Sequence, residues 1–355
     1  MKYIKWDQSD IGNEEIESVV GSLRSGYVGS NGPMVKQFEQ EFASEVGAEY
    51  AIAVCNGTAA LLTALYAFRS RIGGLKVGVP TFSFIASANT AAEAGDAIKL
   101  IDCSMKTWNI ERALIPSGIN LLMSADIGGL PCDYNALKSS EIPIIADSAE
   151  SIGAMYRKKP IGSQADVHCF SFHRAKIITT GEGGMVTTND KELYELMRSL
   201  VNHGYDPIRK KWEYKHKMRA FNFRMTEVEA AIGTIQLKKL KKYVDERRKR
   251  ARIYRDIIGE LAEYQDEPKD RVHPYFFFGM LIKKDRDTFC DEMDKKGIEV
   301  KTWTPAHKQK PYMNTGESFS NADRVGGSIV LLPMHNKLTG EEAEYIAETA
   351  RKLLK

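Results

Sequence analysis

The segment 170-FSFHRAKIITTGEGGMVTT-188 puts Lys176 five residues after Ser171, between Ala175 and Ile177, and ahead of a Thr-Thr-Gly-Glu-Gly-Gly turn. Apolar surroundings favour the neutral amine, the form that attacks a carbonyl carbon, so Lys176 is a candidate nucleophile; a surface lysine is the plain alternative. In 143-PIIADSAESIGA-154 an apolar run ends in Asp147, with Glu150 three residues on. Carboxylates at the carboxyl end of a buried strand lie where open α/β sheets hold ligands, and a buried Asp needs a partner, although Asp147 could equally cap the following turn. In 50-YAIAVCNGTAALLTAL-65 a strand leads through Asn56-Gly57-Thr58 straight into a helix. Free N–H groups, the helix dipole and the Thr58 hydroxyl there suit an anion, or simply a capped helix start. In 80-PTFSFIASAN-89, Phe82 and Phe84 fall on one side of an extended segment, as core residues or with one ring against a planar group.

Holding such groups together calls for a particular scaffold. Between residues 35 and 190, short apolar runs at 50–54, 76–79, 98–102, 120–124, 143–146, 167–172 and 185–188 alternate with helix-like segments such as 58–70. Runs without polar alternation are strands covered on both faces, and the intervening helices predict an α/β fold with a mostly parallel sheet. Residues 226–261 read as one long helix, opened by Thr226 and broken at most once. Beyond it come strands at 275–282 and 297–303 and a final helix from Gly340 to Leu354. We expect a large domain over residues 1–236 and a smaller C-terminal α+β domain over 237–355.

The composition narrows the function classes. The chain has 355 residues, with 50 Lys+Arg against 47 Asp+Glu and a net charge of +3, too balanced for a general nucleic-acid binder. The basic run Lys238, Lys239, Lys241, Lys242, Arg247, Arg248, Lys249 and Arg250 is interrupted by Asp245 and Glu246 and reads as a solvated helix face. Five scattered cysteines without a C-x-x-C pair make both a disulfide framework and a zinc site poor expectations, so no metal is assigned. Neither a signal peptide nor an uncharged stretch of about 18 residues is present, which makes a cytoplasmic protein, without membrane partner, the expectation.

Taken in order, NGTAAL, PTFSFIASAN, ADSAESIGA, SFHRAKIITTGEGG and FNFRMTEVEAAIG resemble the nucleotide-sugar aminotransferases of the DegT/StrS type. These are pyridoxal 5'-phosphate (PLP) enzymes of fold type I, the aspartate aminotransferase superfamily, and the resemblance covers nearly the whole chain. It implies that Lys176 carries PLP as a Schiff base and that Asp147 pairs with the pyridine nitrogen. It also implies that Phe84 stacks on the ring, that Glu150 lies near the ring hydroxyl where relatives often have Gln or His, and that Gly57, Thr58 and Ser171 form the phosphate cup. Asn222 in 219-RAFNFRM-225 matches a residue that reaches the cofactor phosphate of the neighbouring subunit, which implies a homodimer with shared sites.

The implied reaction moves an amino group from an amino acid donor, usually L-glutamate, to a keto-sugar carried on a nucleoside diphosphate, for amino-sugar and polysaccharide biosynthesis. The turn 179–184 looks more like enzymes acting at C4 of the sugar than at C3. Relatives that dehydrate the sugar carry His where this chain has Lys176, which disfavours a dehydratase or lyase; a non-catalytic regulator has no need of a buried amine. For the sugar nucleotide, the resemblance points to Tyr27 and Asn31 in 26-GYVGSNG-32, to Arg224 and to His307. The segment 124-SADIGGLPCDYNAL-137 departs from the His-Leu-Tyr-Gly of many relatives, so no contact is carried over to it. His168, His173 and His203 read as packing or capping residues.

Overall fold

The computed structural model describes residues 3–206, 212–313 and 316–355. Its central sheet has seven strands: β1 (Tyr50–Val54), β2 (Lys76–Pro80), β3 (Ala97–Ile101), β4 (Leu121–Ala125), β5 (Ile144–Asp147), β6 (Val167–Ser171) and β7 (Gly184–Thr188). They lie in the order β1-β7-β6-β5-β4-β2-β3. The pairs from β3 to β6 are parallel, whereas β7 runs antiparallel to both β6 and β1. The sheet is therefore mixed and mainly parallel. Every residue of β4, β6 and β7 is buried, the physical counterpart of their unbroken apolar runs: helices cover both faces.

Local signals start and stop the helices that support the sheet. α1 (Asn13–Arg24) and α2 (Pro33–Val46) precede β1. Phe38 and Phe42 of α2 meet Phe170 and Phe172 at centroid distances of 5.0 to 5.4 Å, which anchors the end of β6 just ahead of Lys176. Each such pair contributes roughly 0.5–1.5 kcal/mol beyond its buried area. α3 (Gly57–Ile72) begins where Asn56 accepts the Ala59 amide at 2.8 Å, and stops at Gly73 with φ of 89°. α4 (Ile85–Ala94) follows the turn that contains Phe84.

The long helix α5 (Glu227–Ile258) runs unbroken for 32 residues from a Thr226–Glu229 capping box. Its residues up to Val244 pack into one hydrophobic core, and from Ala251 onward into a second. A three-stranded antiparallel sheet, β8 (Glu263–Tyr264), β9 (Phe278–Leu281) and β10 (Ile329–Leu332), lies between the two cores. Along β10, Ile329 and Leu331 join the first core and Val330 and Leu332 the second, because successive side chains point to opposite faces. α6 (Gly340–Leu354) closes the chain with the predicted bounds.

Three expectations need correction. The run 275–282 is a strand only over Phe278–Leu281; Tyr275 has φ of 54°, which no strand residue adopts. The run 297–303 makes only single bridges, Ile298 with Ile4 and Lys301 with Leu331, and the third strand of that sheet is instead 329–332. The basic run on α5 is not wholly solvated: Arg247 is 2 % exposed and Arg250 6 %, because their helix face turns inward where α5 crosses between the two cores.

Candidate active site

The sheet places its chemistry at one edge. β1, β2, β4, β5 and β6 all end there and β7 starts there, so Asn56–Thr58, Ser83–Phe84, Asp126, Asp147, Ser171 and Glu182 converge on one cavity of about 780 Å³. Ligands sit in this position in open α/β sheets because loops converge there and helix N-termini point inward.

Lys176 follows β6 by five residues in a turn held by its amide, which donates to the His173 carbonyl at 2.8 Å. Its Nζ enters the cavity 3.8 Å from Glu150 Oε1 and 4.2 Å from the centre of the Phe276 ring. Glu150 Oε2 accepts the Gly128 amide at 2.8 Å. Burial pushes the Glu150 carboxyl up to about 7, against the opposing pull of the Lys176 charge and the Gly128 N–H. Gly128 has φ of 69°, and a Cβ there would come within 3.1 Å of the Phe277 ring, so only glycine presents that amide without strain.

Asp147 ends β5 with its carboxylate in the cavity. Ser87 Oγ donates to Oδ2 at 2.6 Å and the Ala149 amide to Oδ1 at 3.2 Å. Burial raises its pKa, and the Ser87 bond, the Lys176 charge and the Ala149 amide oppose that shift. The capping role open at the level of sequence is thus present, through Ala149, and among the described residues the carboxylate makes no salt bridge. Behind it, Asp126 accepts from Ser151, Tyr134, Ser148 and the Cys132 amide. His168 Nε2 accepts the Gln164 and Ala165 amides, so its Nδ1–H donates to Ser148, and burial holds the ring neutral with a pKa of about 3. That is the packing role expected of His168.

At the other end of the cavity, the amides of Gly57 and Thr58 at the start of α3 make no hydrogen bond among the described residues. Ser171 packs against Gly57 so closely that an added Cβ would lie 2.9 Å from the Ser171 Cβ. Phe84 is 63 % exposed on the cavity wall, whereas Phe82 is fully buried.

The structure therefore brings together Lys176, Asp147, Glu150, Phe84, Gly57, Thr58 and Ser171. It does not bring in Asn222, Tyr27, Asn31, Arg224 or His307, none of which lines this chain's cavity. Asn222 and Asn31 are exposed, as is Tyr27 at 53 %. Arg224 donates to Ser30 Oγ at 3.0 Å and Asn202 Oδ1 at 2.6 Å, which ties the 26–32 loop to the segment beside Val54–Cys55. His307 is held by Thr81 and Asp323, at 2.7 and 2.8 Å. His173 lines the cavity rim near Glu182, and His203 supports a turn at φ of 57°. Sequence reasoning missed Ser87, Asp126, Gly128, Phe276 and Trp303. Ser87 lies three residues past Phe84, and Asp126 and Gly128 lie in 124–137, the segment to which no contact is carried over.

These residues fit PLP. Open helix amides beside a hydroxyl suit its phosphate, an exposed Phe suits the ring, and a buried carboxylate suits a protonated pyridine nitrogen. A lysine amine in the same cavity suits its aldehyde.

Comparison with known proteins agrees. A family model described as the DegT/DnrJ/EryC1/StrS aminotransferase family matches residues 9–351. The chain is 33 % identical over 360 residues to GDP-perosamine synthase of Escherichia coli O157:H7, covering 98 % of each protein. It is 31 % identical to the dTDP-3-amino-3,6-dideoxy-alpha-D-galactopyranose transaminase of Aneurinibacillus thermoaerophilus, covering 93 % of this chain and 92 % of that one. Spr1654 of Streptococcus pneumoniae, assigned as a sugar aminotransferase and solved in its PLP form, superposes with a TM-score of 0.92 at 25 % identity, over 99 % and 98 % of the two chains. With a family match across nearly its whole length and a cavity whose residues fit PLP, the chain belongs to the DegT/DnrJ/EryC1/StrS family of PLP-dependent aminotransferases.

Proposed function

We propose that this chain transfers an amino group from an amino acid, L-glutamate, to a keto group of a nucleoside-diphosphate sugar, at C4, in amino-sugar biosynthesis. The observation that carries the reading is the single cavity that holds the Lys176 amine between Glu150 and Phe276, with Asp147 on the same cavity wall. Sugar amination is supported by the names of the relatives, and C4 by the Thr179–Gly184 turn.

PLP, when bound, supplies a carbonyl that holds the reacting amine and a ring that draws electron density from the carbon losing its proton. The chain's own groups do the rest. Asp147, kept in place by Ser87 and Ala149, pairs with a protonated ring nitrogen and holds that proton in the buried site. Phe84 orients the ring plane, and the Gly57 and Thr58 amides with Ser171 hold the phosphate. Lys176 Nζ, once free, would serve as the base in the cavity: it would take the proton from the amine-bearing carbon and deliver it to the carbon on the far side of the nitrogen. Apolar walls from Leu61, Ile127, Phe276 and Trp303 keep water from competing.

The active unit in this reading is a homodimer. Asn222, the half-buried Arg224 and the 26–32 loop lie together outside their own chain's cavity, where they can serve the partner's. The test is a panel of UDP-, dTDP- and GDP-linked 4-keto and 3-keto sugars with glutamate, read by product mass. Amination of a 4-keto member supports the reading. Loss of water from the sugar without uptake of nitrogen indicates a dehydratase, and amination of 3-keto members alone rejects C4.

A further inference from the structure

Arg247 is a buried guanidinium whose hydrogen bonds among the described residues go to neutral acceptors. Its Nη1 donates to the carbonyls of Tyr275 and Phe276 at 3.1 and 2.9 Å, and its Nε to Asn336 Oδ1 at 2.8 Å. Asn336 in turn donates through Nδ2 to the Ile177 carbonyl at 2.8 Å. A cation buried without a carboxylate is costly, and an apolar residue of similar size would serve packing better. Its position calls for another account.

Both branches of this network end at Lys176. One fixes the peptide between Ile177 and Ile178, one residue beyond Lys176, through the Ile177 carbonyl. The other fixes the Phe276 ring beneath the amine, and Tyr275 is held at φ of 54° so that two consecutive carbonyls face one guanidinium. The Phe276 amide then donates to the Gly128 carbonyl at 2.9 Å, and Gly128 donates to Glu150, the other neighbour of the amine. We propose that Arg247 and Asn336 are positioning residues for Lys176, setting the direction of its amine from behind through Ile177 and from below through Phe276. This rests on the reading that Lys176 is the amine that holds PLP.

The test uses the full-length holoenzyme with two variants. Arg247→Lys keeps a buried cation but loses the planar fork that reaches three acceptors. Asn336→Asp keeps the acceptor facing Arg247 and removes the donor facing Ile177, so it leaves the buried cation paired. Two readouts are followed across neutral and mildly alkaline pH: the pH midpoint of the visible band of bound PLP, and the rate at which hydroxylamine removes PLP from the protein. We expect both variants to shift the midpoint and to change the removal rate at least about tenfold, since small misplacements of a reacting group carry large rate effects. A lowered melting temperature with midpoint and rate unchanged in Asn336→Asp overturns the proposal, whatever becomes of Arg247→Lys. Failure of the underlying reading looks different: borohydride then fixes PLP on the wild-type protein at a residue other than Lys176, or not at all.

Discussion

Glu150 Oε1 lies 3.8 Å from Lys176 Nζ in a cavity where both side chains are almost fully withdrawn from water. The pair is held apart from solvent by the same Gly128 and Phe276 that contact it. Because burial raises the Glu150 carboxyl from 4.5 to about 7, the folded chain binds a proton there that the unfolded chain has already released. Between those pH values, Glu150 therefore makes stability fall as pH rises. In the PLP-free protein, wild type should lose stability relative to Glu150→Gln across this window, by up to about 3 kcal/mol at its upper end. Denaturant melts of both proteins at a series of pH values check this; parallel curves would count against it.

Ser87 gives Asp147 its shortest hydrogen bond, 2.6 Å to Oδ2. Removing a donor to a buried carboxylate costs about 1.5–3 kcal/mol. Ser87→Ala should raise the Asp147 pKa further, weaken its hold on a protonated ring and lower PLP affinity by about tenfold. Fluorescence titration of the stripped protein with PLP measures this, and unchanged affinity would show that Ser87 only packs.

The proposed homodimer with shared sites predicts complementation between variants. Lys176→Ala and Asn222→Ala homodimers should each be nearly inactive, the former by roughly 10³-fold from loss of the proton-transferring amine. Random mixing puts half the chains' sites in hybrid dimers, each with one intact site, so refolded mixtures should regain roughly a quarter of wild-type activity. A mixture no more active than its components would show that Asn222 does not complete the partner's site and would overturn the shared-site reading.

His307 has both ring nitrogens engaged, by Thr81 and Asp323, and stays off the cavity wall. We expect His307→Ala to lower stability by about 1–3 kcal/mol while the KM for the sugar nucleotide stays within about twofold. A raised KM without a stability loss would return His307 to the substrate site.

Much of the scaffold and the local half of the site were legible in the linear chain. Unbroken apolar runs announce strands covered on both faces, Asn56 and Thr226 announce helix starts, Asp147 and the Asn56–Thr58 turn sit at an element's end and Lys176 in the turn just after one, so their placement follows from neighbours in sequence. What surrounds the Lys176 amine did not follow in that way. Gly128, Phe276, Asn336 and Arg247 lie 48 to 160 residues from it; Gly128 acts through its amide and Phe276 through its ring face and carbonyl, while Asn336 and Arg247 reach backbone carbonyls that carry no signature of their own. A basic run on a helix looks solvated whichever residues turn inward. Only packing α5 between two hydrophobic cores decided that Arg247 would be buried and aimed at the carbonyls of Tyr275 and Phe276, because burial is a property of the face a helix presents to its neighbours and not of the residues it contains.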